Sequence, residues 1–288
     1  MSPPNPDARL WLFDFDNTLA ALEREVDWPG SRRELEAFLR DKGVDKKIFA
    51  AIPKGNLPLY AALHTRWLRA SSAEANTPTA VQRQLRRQFI SAAGRLPLET
   101  APSTGANIDR MPPEIAESLL RRSSEIIERH ELVGVELAQP TAGAIDLLEA
   151  LVARSATVVI VTSNSSRTVA RWLQRHGISD LVHAIVGRDS LLALKPSPEM
   201  VARALNLSPT FAPAAQTATT AADAVFVGDS EADFGAARAA VLGFYGIAIS
   251  HAARDRLVAA GATEVFASPD AMRIHLNLAL PEHHAKSN

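Results

Sequence analysis

The chain of 288 residues contains no cysteine. This absence excludes disulfide bonds, thiolate nucleophiles and thiolate metal ligands, and it agrees with a reducing compartment. The chain also lacks an apolar run of about 18 residues, the length that a membrane span requires, and its first residues do not resemble a signal peptide. We therefore expect a soluble, cytoplasmic protein that does not bind a membrane.

A strong excess of one charge is missing as well. The chain has 31 Lys and Arg against 32 Asp and Glu, and its formal net charge is −1. Because there is no general basic field, a nucleic acid polymer is not expected as a partner, and an acidic ligand would need a local site. The length predicts one large and one smaller domain, and it leaves open whether the protein is a monomer or a homodimer.

A short apolar stretch near the start, Leu10–Phe13, is followed by two aspartates. The stretch predicts a buried strand, and turn-prone Asn17 follows the second aspartate. Because side chains alternate along a strand, Asp14 and Asp16 point the same way. Two carboxylates on one face repel each other unless a cation or a shared proton lies between them.

The next part of the chain, residues 20–131, has helical periodicity and no strong strand signal. It predicts an inserted all-helical unit, in which Ser31 is a plausible cap of the first helix. Further helices are predicted over residues 57–70, 81–93 and 113–130. Residues 94–113 are rich in Pro, Gly, Ser and Thr and predict an irregular connection.

The remainder of the chain alternates strands with helices. Strands are predicted over residues 156–162, 182–187, 224–229, 243–249 and 264–267, and helices over 142–153, 168–176, 197–205 and from about 230 to 240. Gly177 is expected to end a helix in the left-handed conformation. This alternation predicts an α/β fold with a parallel sheet covered on both faces. Residues 208–222 have low complexity and predict a surface insertion.

Polar side chains occur at the predicted carboxyl ends of several strands. Ligands of open parallel sheets bind at this edge, so these side chains are expected to converge in one cleft. They are Asp14 with Asp16, Thr162 with Ser163 and Asn164, Lys195, and Asp229 with Asp233. The set supplies what phosphoryl transfer requires, namely hard oxygen ligands for Mg²⁺, a nucleophile, and donors for the phosphoryl oxygens.

Each residue can be given a role in that reaction. Asp14 can attack phosphorus, and Asp16 can protonate the leaving group and then activate water. Thr162, Lys195 and Ser163 can bind the phosphoryl oxygens, and Asp229 can complete the metal site. Structural alternatives stay open, since Thr162 also suits a strand end and Asp233 also suits the first turn of a helix.

The same residues resemble the four motifs of the haloacid dehalogenase-like hydrolase superfamily. The matching segments are Phe13-Asp14-Phe15-Asp16-Asn17-Thr18-Leu19, Ile160-Val161-Thr162-Ser163-Asn164, Lys195-Pro196-Ser197-Pro198 and Val227-Gly228-Asp229-Ser230-Glu231-Ala232-Asp233. The resemblance implies Mg²⁺ dependence, Asp14 as the nucleophile and Asp16 as the acid and base. It also implies metal ligation by Asp14, the backbone carbonyl of Asp16 and Asp229, with Asp233 close by.

The resemblance further implies the domain organisation. It implies a Rossmann-like, doubly wound parallel sheet as the core (residues 8–19 and 136–280). The inserted all-helical cap (residues 20–135) has the position found in the phosphoglycolate phosphatase-like branch, and residues 1–7 and 281–288 are expected to be flexible tails. One departure is Asn17, which stands where glycine is commonest and which can also adopt turn conformations.

The leading hypothesis is a Mg²⁺-dependent phosphatase that hydrolyses a small phosphorylated metabolite through an aspartyl-phosphate. A phosphomutase could use the same aspartyl-phosphate, and a non-catalytic protein that binds a phosphorylated ligand could keep the same site. A response-regulator receiver also combines an acid pair with Thr and Lys. The long segment between Asp16 and Thr162 is too large for one compact receiver.

Overall fold

Parallel strands form the central sheet of the computed structural model, which describes residues 3–52, 55–74, 113–208 and 223–281. Within these residues the strands are β1 (Leu10–Phe13), β2 (Thr157–Val161), β3 (Ala184–Val186), β4 (Ala224–Gly228), β5 (Gly243–Ile247) and β6 (Glu264–Phe266). The strand order is β3-β2-β1-β4-β5-β6, and all pairs are parallel. The predicted α/β fold class is confirmed.

The apolar composition of the central strands explains why they lie in the middle of the sheet. All residues of β1 and β4 are buried, as expected for parallel strands that are covered on both faces. Phe13 of β1 is level with Ile160 of β2 and with Val227 of β4. This register brings the carboxyl ends of three neighbouring strands to nearly the same height.

Helices precede and follow the strands. They are α1 (Trp28–Asp41), α2 (Lys46–Ala51), α3 (Asn56–Glu74), α4 (Pro113–Gly134), α5 (Ala144–Ala153), α6 (Ser166–His176), α7 (Glu199–Leu207), α8 (Glu231–Ala239), α9 (His251–Ala260) and α10 (Pro269–His275). Short 3-10 helices cover Glu23–Glu25, Ser179–Leu181 and Arg188–Ser190. Serine side chains accept a backbone N–H at the start of α6, α8, α9 and α10, which satisfies one of the free donors of the first turn. In the part of the chain that the structure describes, no helix is both long and apolar enough to cross a membrane.

The chain divides into two compact units. One contains Met1–Asp27 and Glu128–Asn288, and the other contains Trp28–Ile127. The second unit is helical where it is described, and within it the Asn56 side-chain amide donates to the Ser31 hydroxyl at 2.8 Å. The predicted core and cap boundaries, at residues 20 and 135, stay a prediction.

Two local predictions are confirmed and one is wrong. Gly177 ends α6 with φ 68°, and Asn17 has φ 59°, so both residues adopt the left-handed conformation. Ser31 is not the cap of α1, because the helix already begins at Trp28 and Ser31 is buried inside it. The predicted helix over 81–93, the connection after residue 94, the insertion after Ser208 and the last residues of the tail lie outside the described residues.

Candidate active site

The ends of β1, β2 and β4 position the predicted site residues. Asp14, Thr162 and Asp229 each follow directly on the last residue of one of these strands. Backbone hydrogen bonds extend the sheet by one residue, since Asp14 N–H donates to Val227 O at 2.8 Å and Thr162 N–H donates to Val186 O at 3.0 Å. The strand order runs outward in both directions from β1, so this edge is the switch point at which open α/β sheets bind ligands.

Three carboxylates come together at this edge. Asp14, Asp229 and Asp233 each offer an oxygen atom, and the three oxygens lie within 4.8 Å of one another. Asp233 can approach because Gly228 has no side chain; a Cβ on Gly228 would lie 2.5 Å from the Cβ of Asp233. The structure therefore groups the side chains of Asp14, Asp229 and Asp233; Asp16, the fourth residue predicted at the metal site, was expected to contribute its backbone carbonyl.

Asp233 has a second, structural role. It forms a capping box at the start of α8, in which Asp233 N–H donates to the Ser230 hydroxyl and Ser230 N–H donates to Asp233 Oδ2 at 3.0 Å. The Ser230 hydroxyl also donates to Oδ2, at 2.6 Å. Asp233 therefore both caps the start of α8 and lies in the acidic cluster.

Lys195 lies against the acidic cluster. Its Nζ donates to Asp14 Oδ1, pairs with Asp233 Oδ1 at 2.5 Å and donates to Val161 O at 3.1 Å. Burial alone would lower the pKa of Lys195, but its two carboxylate partners raise the pKa above its usual range. Lys195 is therefore a fixed positive charge at the carboxyl ends of β1 and β2.

Asp14 and Asp229 are held in an environment that disfavours their charge. Burial, together with the charge of Asp233, raises the pKa of Asp14 to about 6. Burial and repulsion from Asp233 and Asp14 raise the pKa of Asp229 to about 9. A divalent cation bound by oxygen ligands would relieve this repulsion, and carboxylate oxygens are the ligands that Mg²⁺ prefers. The donor set therefore fits a Mg²⁺ site.

Asp16 is held apart from the three clustered carboxylates. Its Oδ1 accepts the backbone N–H groups of Leu22 and Glu23, at 3.0 and 2.9 Å. Burial raises the pKa of Asp16 to about 7, although the N–H of Glu23 opposes the shift. Asn17 adds a bond from its Nδ2 to Glu23 Oε2 at 2.8 Å. The segment after β1 is thus folded around the Asp16 carboxyl group.

Thr162, Ser163 and Asn164 form the loop after β2. The Thr162 hydroxyl is buried, donates to Asn164 Oδ1 at 3.0 Å and accepts Asn164 N–H at 3.1 Å. Ser163 is partly exposed, and its carbonyl accepts a hydrogen bond from Arg188 Nη1 at 2.7 Å. The predicted phosphate contacts of Thr162 and Ser163 stay predictions, and we call residues 162–165 the β2 loop below.

Sequence reasoning missed Glu131 and Arg188, which lie beside the β2 loop. Both side chains have no exposed surface, and they form an ion pair with Nη1 2.8 Å from Oε1. Glu131 lies in the amphipathic pattern of α4, and Arg188 follows β3 in a short 3-10 helix. Nothing in their spacing or in the neighbouring residues pairs the two positions, so the sequence carried no signal for this contact.

The sheet order defines an α/β protein of the Rossmann-like type with an acidic cluster at its switch point. The family model described as haloacid dehalogenase-like hydrolase matches residues 100–247, which is more than half of the chain. The chain therefore belongs to the haloacid dehalogenase-like hydrolase family, and the expected family and hydrolase class are confirmed. The match includes Thr162, Lys195 and Asp229, whereas Asp14 and Asp16 lie before its first residue.

Solved structures share the fold over almost the whole chain. A candidate phosphoglycolate phosphatase from Lactobacillus delbrueckii subsp. bulgaricus has a TM-score of 0.53 at 16% identity, covering 96% of this chain and 100% of its own. A haloacid dehalogenase-like hydrolase candidate from Bacteroides fragilis has a TM-score of 0.51 at 16% identity, covering 91% and 97%. A predicted phosphatase from Clostridium acetobutylicum has a TM-score of 0.51 at 15% identity, covering 96% and 99%. No curated protein matches the sequence.

Proposed function

We propose that the protein is a Mg²⁺-dependent phosphatase that hydrolyses a small phosphorylated metabolite. The observation that carries the proposal is the arrangement of Asp14, Asp229 and Asp233 around Lys195 at the switch point of a haloacid dehalogenase-like hydrolase. The fold similarity to a candidate phosphoglycolate phosphatase and to a predicted phosphatase supports the same reaction class. A phosphomonoester brings negative charge, which matches the Lys195 ammonium group and a bound cation.

Asp14 is the proposed nucleophile. The strand end and the Lys195 contact with Oδ1 fix the direction of its carboxylate, so that its attack on phosphorus starts from one geometry. The P–O bond to the leaving group breaks as the Asp14–phosphorus bond forms, and the product is an aspartyl-phosphate. Lys195 also offers positive charge to the transferring oxygens.

Mg²⁺ would be held by the carboxylates of Asp14, Asp229 and Asp233 and by the backbone carbonyl of Asp16. When bound, it supplies positive charge that offsets the repulsion between the anionic nucleophile and the phosphoryl oxygens. The ligand side chains are carried by β1, by β4 and by the first turn of α8. Mg²⁺ binding is therefore expected to raise the stability of the folded protein as well as to support the reaction.

Asp16 is the proposed acid and base. One of its oxygens, Oδ1, accepts both backbone N–H groups, which leaves the other oxygen for proton transfer. That oxygen gives a proton to the leaving alcohol and then takes one from the water that attacks the aspartyl-phosphate. The same group can serve both steps because the second step returns its proton.

The direct test is phosphate release from 4-nitrophenyl phosphate, measured with Mg²⁺ and with EDTA. We expect turnover with Mg²⁺ and its loss in EDTA, followed by recovery when Mg²⁺ is restored. A panel of small phosphorylated metabolites then orders substrates by kcat/KM. Absence of turnover with Mg²⁺ across the aryl phosphate and the panel would contradict the proposal.

Asp229→Asn is expected to raise the Mg²⁺ concentration for half-maximal activity by more than about 10-fold. Removing a residue that merely hydrogen-bonds to a metal ligand typically weakens metal affinity by about 10-fold or more. Asp229 is proposed as a ligand itself, so its loss should cost at least as much. The measurement is a Mg²⁺ titration of 4-nitrophenyl phosphate turnover. Asp180→Asn, which removes an exposed acid in the 3-10 helix before β3, is the control and should leave the titration unchanged. An unchanged titration for Asp229→Asn would remove Asp229 from the metal site.

A further inference from the structure

Glu131 and Arg188 form a buried ion pair with contacts along both oxygens of the carboxylate. Arg188 Nη1 donates to Glu131 Oε1 at 2.8 Å, and Nη2 donates to Oε2 at 3.1 Å. The relative accessibility of both side chains is 0%. A planar guanidinium group that faces a carboxylate in this way fixes direction as well as distance.

This pair holds the β2 loop at consecutive residues. Arg188 Nη1 donates to Ser163 O at 2.7 Å, Asn164 Nδ2 donates to Glu131 Oε1 at 3.0 Å, and Ser165 N–H donates to Glu131 Oε2 at 3.1 Å. Each of these bonds involves a charged side chain that is itself fully buried, and such bonds are strong. The loop backbone and the Asn164 side chain are therefore fixed by the pair rather than by solvent.

The contacts continue from the pair to Thr162. Because Glu131 accepts from Asn164 Nδ2, the amide oxygen of Asn164 faces Thr162 and accepts its hydroxyl proton at 3.0 Å. Asn164 N–H donates to the same hydroxyl oxygen at 3.1 Å. Glu131 thus determines which way the Asn164 amide is turned, and the amide determines the position of the Thr162 hydroxyl.

The attraction between the two charges does not by itself account for the pair. A buried ion pair is weak evidence of stabilisation, since apolar side chains of similar volume often serve as well. Glu131 also lies in the last turn of α4, which ends at Gly134, and a negative charge is unfavourable at that end of a helix. The pair forms hydrogen bonds to Ser163, Asn164 and Ser165, which apolar residues could not form.

We propose that Glu131 and Arg188 are positioning residues that hold the β2 loop in the geometry required for phosphate binding by Thr162 and Ser163. The inference rests on the proposed phosphatase function and adds to it two residues that do not touch the substrate. Their removal is expected to act on phosphate binding and turnover through the loop, even where the protein still folds.

The test replaces the pair by apolar residues in the variant Glu131→Leu with Arg188→Met. We expect the variant to fold with a lower thermal midpoint, because Asn164 and Ser165 lose a buried acceptor. Its kcat/KM for 4-nitrophenyl phosphate should fall by about 100-fold, as for a displacement of binding groups by about 1 Å. The inhibition constant of inorganic phosphate should rise in parallel. Amide hydrogen exchange of residues 163–165 should become faster without any substrate.

A second variant, Glu131→Gln with Arg188→Met, keeps an oxygen that can accept from Asn164 Nδ2. It is expected to lose less kcat/KM than the Leu/Met variant, and this partial rescue is not expected from a change in packing alone. The matched control is Glu136→Leu with Arg171→Met. It removes a half-exposed ion pair between Glu136, just after α4, and Arg171 of α6, whose side chains bond to each other at the surface, and its kcat/KM should be unchanged.

The outcomes separate this inference from the proposed function. If the wild type does not hydrolyse phosphomonoesters, the function fails, and hydrogen exchange of the β2 loop still decides whether the pair positions it. Wild-type exchange and wild-type kcat/KM in a folded Leu/Met variant would overturn the inference while the function stands. If the Leu/Met variant does not fold, wild-type loop exchange in the Gln/Met variant would overturn the inference in the same way.

Discussion

Asp14→Asn is expected to lower kcat/KM for 4-nitrophenyl phosphate by about 10⁴-fold or more, the range found when a nucleophile is removed. The amide is isosteric with the carboxylate, but it is a poor nucleophile towards phosphorus and a weaker ligand of a hard cation. The substitution therefore removes the bond-forming atom and one metal ligand together. The measurement is the rate of 4-nitrophenolate release with saturating Mg²⁺.

A stability measurement separates this chemical effect from damage to the fold. The Asn amide oxygen can still accept from Lys195 Nζ, which donates to Asp14 Oδ1 in the structure. Without metal, the neutral side chain also removes one of the repelling charges of the cluster. We expect the thermal midpoint in EDTA to equal or exceed that of the wild type. Retained turnover in a folded Asp14→Asn protein would remove Asp14 from the nucleophile role.

Lys195→Met is expected to destabilise the protein in EDTA by about 3–5 kcal/mol, because it leaves buried carboxylates without their cation. The Lys195 side chain is only 4% exposed, and it pairs with both Asp14 and Asp233. The same change removes the charge proposed to bind the phosphoryl oxygens, so turnover should fall as well. Urea unfolding in EDTA and in Mg²⁺ measures the first effect, and Mg²⁺ should recover part of it.

The double variant Lys195→Met with Asp233→Asn is the control for this prediction. It removes one negative charge along with the positive one, so the remaining cluster is less repulsive. Stability in EDTA should recover towards the wild type, whereas turnover should not recover. A single variant as stable as the wild type in EDTA would show that Lys195 does not compensate the buried acids.

The sheet and the ends of its strands follow from the sequence because they depend on local patterns. β-Branched runs such as Thr157–Val161, of which the last four residues are buried, are typical of a parallel sheet covered on both faces, and a polar residue then marks each strand end. Asp14, Thr162 and Asp229 are such residues, and their common height in the sheet follows from register. Lys195 does not directly follow a strand. Its place in the cleft was predicted from its distance along the chain from the other site residues and from the resemblance of Lys195-Pro196-Ser197-Pro198 to a family motif.

Other features depend on contacts between distant residues, which no local pattern contains. Asp233 approaches Lys195 because Gly228 leaves space for it, and this closeness depends on the angle at which α8 leaves β4. From the sequence alone, Glu131 and Arg188 look like ordinary surface charges. Only the packing of α4 against the segment after β3 shows that they are buried together. Ser31 matched the expected composition of a helix start, but α1 begins earlier, at Trp28.

The most direct measurement of the central claim is the reaction of the Asp16→Asn variant with 4-nitrophenyl phosphate and Mg²⁺. The Asn oxygen can still accept the N–H groups of Leu22 and Glu23, so the segment after β1 keeps its anchor. Because nitrophenolate leaves without a proton, the first step should proceed, whereas hydrolysis of the aspartyl-phosphate should stall without a base.

We therefore predict a burst of nitrophenolate close to one equivalent per active site, followed by slow turnover. Mass spectrometry of the acid-quenched protein should find a phosphoryl group on the peptide that contains Asp14. The same experiment on Asp14→Asn with Asp16→Asn should give neither the burst nor the modification. Steady turnover by Asp16→Asn with no phosphoryl group on Asp14 would contradict the proposed mechanism.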